Sequence, residues 1–222
     1  MGWISNNSDS ISAIASVLTL FVWVFYAQLL YANYSRQRRA RIIINRGSGK
    51  HIHSLCLISN MSAESIYVQH IVAVLETEDE TMPLDISDFQ QSEHDSQAPE
   101  SETVSYSTHQ GPLGSGDYLH VGTFSDLVLR VAQSRGIEMD GYHPKGDNTF
   151  VALEIRLIGV YGPEDAPIGA RRRFLLNSSG RDDYAIMPDS LDTERMDSMR
   201  QRRLVKKWMR ELSTQEYDSD WN

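Results

Sequence analysis

His51 and His53 stand two residues apart, a spacing that on a β-strand points both imidazoles from one face, as some zinc sites require. A zinc site needs a third ligand as well. His70, His94, His109 and Cys56 are present, none at a diagnostic spacing, so the pair reads as structural or surface histidines and no metal or other cofactor is expected. Asp85, Asp88, Glu93 and Asp95 supply oxygen ligands without the spacing of a calcium loop, and read as a solvated acidic stretch. Gly47-Ser48-Gly49-Lys50 imitates a phosphate loop, but Ile44 stands where its first glycine belongs and His51 where its serine or threonine belongs. That run reads as a turn. Gly114-Ser115-Gly116 lacks the flanks of a nucleophile elbow. Cys56 sits in an apolar run and reads as an inert core thiol. Arg171, Arg172 and Arg173 are consecutive; on a strand Arg171 and Arg173 share a face and could hold an anion or a partner. The simpler expectation is an exposed hairpin edge, protected from aggregation by charge. No reaction is specified, so the chain is read as not an enzyme.

The elements that would position these residues divide the chain sharply. Residues 10–35 carry no charged side chain, and 11–31 are dominated by Ile, Ala, Val, Leu, Phe and Trp. Twenty-one residues of helix span about 32 Å, the thickness of a bilayer's hydrocarbon core. A signal peptide is disfavoured: no Lys or Arg precedes the run, and a basic cluster rather than a small-residue cleavage site follows it. Asn6 breaks the myristoylation pattern that Gly2 would begin. Only Asp9 is charged before the run, whereas Arg36, Arg38, Arg39, Arg41, Arg46 and Lys50 follow it. The positive-inside bias therefore predicts a single-pass protein of the cell membrane with its N-terminus outside.

Beyond the helix the pattern is mainly β. Strands are expected at 41–45, 51–59, 66–75, 150–161 and 168–176, with 60–64 as a hairpin loop and the last two strands as a second hairpin. Thr123, with Asp126 three residues on and Gly136 beyond, signals a short helix. Residues 76–116, rich in Ser, Gln and acidic side chains, read as a long acidic loop. Residues 189–213 read as a basic amphipathic helix capped by Ser190, with Met196, Met199, Leu204, Trp208 and Leu212 on one stripe. The expected fold class is thus one N-terminal transmembrane helix, a cytoplasmic antiparallel β-sandwich or small barrel, and a C-terminal amphipathic helix. In order, the segments are an outer N-terminus at 1–10, the span at 11–34, a basic juxtamembrane stretch at 35–50, the β-domain at 41–177, the helix at 189–213 and a tail at 214–222.

Charge is segregated along this layout. No Lys or Arg lies between Lys50 and Arg130, a window with 13 acidic residues, while seven of the 21 basic residues lie between Arg195 and Arg210. The net charge of −9 argues against nucleic acid as a partner. Arg36, Arg38, Arg39 and Arg41, and again Arg202, Arg203, Lys206, Lys207 and Trp208, are the expected contacts with lipid headgroups of the membrane bilayer. A competing expectation packs the C-terminal stripe on the β-domain. Ser12, Ser16 and Gln28 permit self-association of the span. The leading function is a tethered β-domain that binds a protein partner or senses a ligand; the alternatives are an oligomeric effector or channel subunit, and a metal-dependent enzyme using His51 and His53.

Overall fold

The structure, a computed structural model, describes residues 8–37, 39–88, 108–145, 149–178 and 184–219. The chain divides into two compact units, Met1–Arg39 and Ala40–Asn222. In the first, helix α1 spans Ser8–Gln37. Its segment Ser12–Ala32 has a mean hydropathy of 2.0 and is long and apolar enough to cross a membrane; none of it is buried against protein. Charge-free Ile, Val, Leu and Ala favour helix here because every backbone N–H and C=O is satisfied within the segment itself.

The second unit is mainly β, built on strands β1 (Ile42–Arg46), β2 (Leu55–Asn60), β3 (Ile66–Thr77), β4 (Thr81–Asp85), β5 (Gly111–Leu113) and β6 (Tyr118–Thr123). After helix α2 (Phe124–Ser134) come β7 (Met139–Asp140), β8 (His143–Pro144), β9 (Phe150–Tyr161), β10 (Ile168–Ser178), β11 (Tyr184–Pro188) and β12 (Glu194–Arg195), then helix α3 (Met199–Ser219). All pairings are antiparallel. A three-stranded sheet runs β1-β2-β6, and a larger one runs β11-β10-β9-β3-β4, with β5 added to β3 and β12 to β10. Ile44 and Ile58 from the small sheet, Leu75, Leu157 and Phe174 from the large one, and Leu127 and Val131 from α2 share one core. β9 is buried on both faces: Leu153, Ile155 and Leu157, the alternate residues that predicted the strand, lie in this core, while Ile158 on the other face joins a second cluster.

Several expectations hold. β9 and β10 form the predicted hairpin, with Leu157 opposite Ala170. Thr123 caps α2 in a reciprocal box with Asp126, and Phe124 meets Phe174 edge-on at 4.8 Å. Cys56 is fully buried, and desolvation pushes its thiol up to about 12.

Others are corrected. Residues 60–64 are no hairpin loop: β2 and β3 lie in different sheets, and the buried Asn60 amide pins the crossover by donating to Glu64 O and Leu113 O, both at 2.9 Å. The stretch 76–116 is not one loop. β3 turns directly into β4, which buries Met82, with Ile86 buried just after it, because apolar side chains at every second position suffice for a strand even among acidic neighbours. Residues 89–107, with Glu93, His94 and Asp95, lie outside the described residues. The β-domain does not stop at 177, since β11 and β12 complete its large sheet. The C-terminal helix begins at Met199 rather than 189, after a box in which Ser198 N donates to Gln201 Oε1 and Gln201 N to Ser198 Oγ. It continues to Ser219, into the expected tail. β10 is no edge either, being flanked by β9 on one side and by β11 and β12 on the other.

Arg172 closes the gap between the two sheets. On the inward face of β10 it is only 7% exposed. Its guanidinium donates to Ile44 O at 2.8 Å, Leu191 O at 2.9 Å and Ser190 O at 3.1 Å. Thr193 Oγ1 accepts from Ile44 N at 2.8 Å. The free edge of β1 is thus satisfied by side chains rather than by another strand. Replacing Arg172 with Met takes the donor from three carbonyls, of which Ile44 O lies in a buried contact, and removes the link they make between the sheets. We expect a loss of about 3 kcal/mol in the urea unfolding of the full chain in detergent micelles. A loss below about 1 kcal/mol would mean that this clamp does not join the sheets.

Candidate functional site

Among the described residues, the outer face of the large sheet carries five ion pairs. Cross-strand register places Val72, Arg156 and Arg171 in one row, and Val74, Glu154 and Arg173 in the next. Directly opposed residues share a face, so an apolar patch (Val72, Val74, Ile158) lies beside a polar lattice. Glu154, 6% exposed, accepts from Arg156 Nε at 2.5 Å and lies 3.6 Å from Arg171. Arg171 also donates to Glu194 at 2.8 Å. Burial works against its charge, but Glu194 and Glu154 outweigh that and hold its pKa above the ordinary arginine value. Arg173 donates to Glu76 at 2.7 Å and to Asp189 at 3.2 Å, and the Glu76 hydrogen bond raises its pKa as well. Arg171 and Arg173 do share a face, as their spacing implies, yet both are engaged by carboxylates of this chain. An added phosphate would have to displace those carboxylates, so the anion contact expected at Arg171 and Arg173 is not offered by this arrangement.

α3 lies over the apolar patch. Val205, Trp208 and Leu212 join Val72, Val74, Ile158 and Met196 in a second buried cluster. The Arg156 guanidinium stacks 4.3 Å from the centre of the Trp208 ring. Trp208 is 6% exposed, so the indole expected at the bilayer is committed to the sheet instead; Met199, expected on the same stripe, points to solvent. Gly169 makes the close approach possible. A Cβ there would sit 2.5 Å from Val205 Cγ2. Arg202 pairs with Glu164 in the turn after β9, and so also faces inward. The opposite side of α3 is different: Arg200, Arg203, Lys206, Lys207 and Arg210 are all exposed. Among the described residues only Lys207 of these five forms an ion pair, with Glu211 at 3.4 Å.

The other candidate residues lie apart from this face. His51 precedes β2 and makes an isolated bridge to Ala185, and His53 lies in the turn that follows. The two therefore do not project from one strand face. His53 Nδ1 is 3.4 Å from Ser125 Oγ, and its ring meets Tyr142 edge-on at 5.0 Å. Among the described residues no three His, Cys, Asp or Glu side chains converge as a metal site would need. Asp85 is held by His70 Nδ1 at 2.7 Å and by the Ser87 amide and hydroxyl. Burial raises its pKa, but the bonds from His70 and Ser87 outweigh burial and bring it below the ordinary carboxylate value. Sequence reasoning did not single out this pair, because the two residues are 15 apart and meet only through the β3–β4 register. In α1, the Ser16 hydroxyl donates to Ser12 O at 2.9 Å, within its own helix. Gln28 is exposed there. Arg39 and Arg41 are exposed, whereas Arg38 and the Arg36 side chain lie outside the described residues.

Comparison with known proteins adds no relative: no protein family, no curated protein and no solved structure matches the chain.

The seating of α3 generates a sharp expectation. In a strand Ala is ordinarily no worse than Gly. Here Gly169→Ala should cost about 2 kcal/mol in urea unfolding of the full chain, because Val205 must give way. Adding Val205→Ala should recover part of that loss relative to the sum of the two single changes. A Gly169→Ala chain as stable as the wild type would refute the close approach.

Proposed function

We propose that this chain is a single-pass membrane-anchored interaction module, with α1 as the anchor and the β-domain displayed on the cytoplasmic side to bind a protein partner. The observation that carries the reading is the 21-residue apolar segment Ser12–Ala32, which buries none of its surface in the protein. Exposed apolar surface of that extent in water is a severe aggregation liability, and a bilayer removes it. The basic residues that follow support the inward orientation of the C-terminal unit. No reaction is assigned to the β-domain. Its clustered arginines are matched by carboxylates of its own chain, an arrangement that suits a rigid scaffold for recognition better than a reacting centre. Ser12, Ser16 and Gln28 remain the positions through which copies of α1 would associate.

Alkaline carbonate extraction of membranes carrying the chain tests the anchor. The chain should stay in the pellet and float with lipid. Release into the supernatant would overturn the reading. Protease added to sealed vesicles of known sidedness tests orientation, and the β-domain should be cut only when the cytoplasmic face is outward.

A further inference from the structure

We propose that the solvent face of α3 is a second membrane contact, an electrostatic one that rests on anionic lipid headgroups without entering the bilayer. This inference rests on the anchored reading above. A basic amphipathic helix ordinarily binds membranes by burying its apolar stripe among the acyl chains. α3 cannot do so while folded, because Val205, Trp208 and Leu212 are already buried against the sheet. What it presents outward is Arg200, Arg203, Lys206, Lys207 and Arg210, spaced along one exposed face for about 15 Å of helix.

The distribution of pairs sharpens the point. Arg156, Arg171, Arg173, Arg195 and Arg202 each pair with a carboxylate of the chain. On α3's outer face a single ion pair, Lys207 with Glu211, is present among the described residues. The protein carries a net charge of −9, yet four of the five cations in this stripe have no ion pair among the described residues. Such a stripe attracts a negatively charged plane with every residue acting at once.

Location favours lipid over an acidic polypeptide. Arg195 Nη1 donates to Ala40 O at 3.1 Å, and Ala40 and Arg202 line one small hollow beside Gly169 and Met196. The first turns of α3 therefore lie at the end of the β-domain where its chain begins. Ala40 follows Gln37, the last residue of α1, by three positions in the sequence. Arg41, one residue further on, is exposed and carries the same sign of charge.

The test uses the full chain reconstituted in vesicles of phosphatidylcholine alone, or of phosphatidylcholine mixed with phosphatidylserine. A fluorophore is attached through Ser213→Cys, an exposed uncharged position at the far end of the stripe. The buried Cys56 does not compete for label. Headgroup-attached quenchers should reduce the signal roughly threefold more in the anionic vesicles, and high salt should abolish the difference. The variant R200E/R203E/K207E/R210E should lose it too, as should its all-glutamine counterpart, with unchanged far-ultraviolet circular dichroism. A chain that floats with the vesicles but shows no lipid-dependent quenching overturns the inference alone. So does quenching that survives both variants. Fluorophore self-quenching that rises with protein density instead of anionic lipid would overturn it in favour of a second copy as occupant. A chain that fails to float overturns the anchored reading, and the inference with it.

Discussion

The seating of α3 on the large sheet decides what this protein offers to its surroundings. An amphipathic helix has two faces and one of them must be covered. Here Gly169 leaves room for Val205, and Trp208 lies under the Arg156 guanidinium. Once the apolar stripe is covered, the basic side can only face outward. Energetics favour this arrangement over release into a leaflet. Each large apolar side chain gains roughly 2 kcal/mol from burial, whether in protein or in lipid. Release would keep that gain for Val205, Trp208 and Leu212, but would return Val72, Val74 and Ile158 to water. The sheet's half of the contact has no substitute in the membrane.

The same logic orders the charges. Inside the β-domain, arginines are placed where carbonyls or carboxylates await them. Arg172 serves three carbonyls between the sheets, and its neighbours Arg171 and Arg173 serve carboxylates on the opposite face. Three consecutive arginines thus do two unrelated jobs, divided by the alternation of a strand. Neither job leaves a cation for a ligand. Among the described residues, α3's outer face carries four exposed cations with no ion pair, Arg200, Arg203, Lys206 and Arg210.

Much of this was legible in the sequence. The charge-free run of α1, the β9–β10 hairpin and the Thr123–Asp126 box all announce themselves through local pattern. What escaped depends on partners far along the chain. β4 is hidden by its acidic neighbours, since composition averages over the alternation that makes Met82 and Ile86 inward residues. Ser190 has the residue type of a cap but not the partner: the reciprocal box forms at Ser198, with Gln201 three residues on. Asp189 N bonds to Arg173 O, and the Ser190 and Leu191 carbonyls serve Arg172, so that stretch is held against β10 rather than coiled into helix. Arg172 itself could have been assigned inward, because Ala170 and Phe174 flank it at period two and both are core residues. The single signal against that assignment was its charge, which the carbonyls around it offset.

The claim that α3 stays on the sheet while the chain sits in a membrane is open to one direct measurement. With Trp3, Trp23 and Trp221 replaced by Phe, Trp208 becomes the sole tryptophan of the full chain. Its fluorescence in anionic vesicles containing acyl-chain-brominated lipids reports whether the indole reaches hydrocarbon. Docking against Val72, Val74 and Ile158 predicts emission unchanged by the brominated lipid. Strong quenching would show that the helix leaves the sheet and enters the bilayer, and would contradict the account.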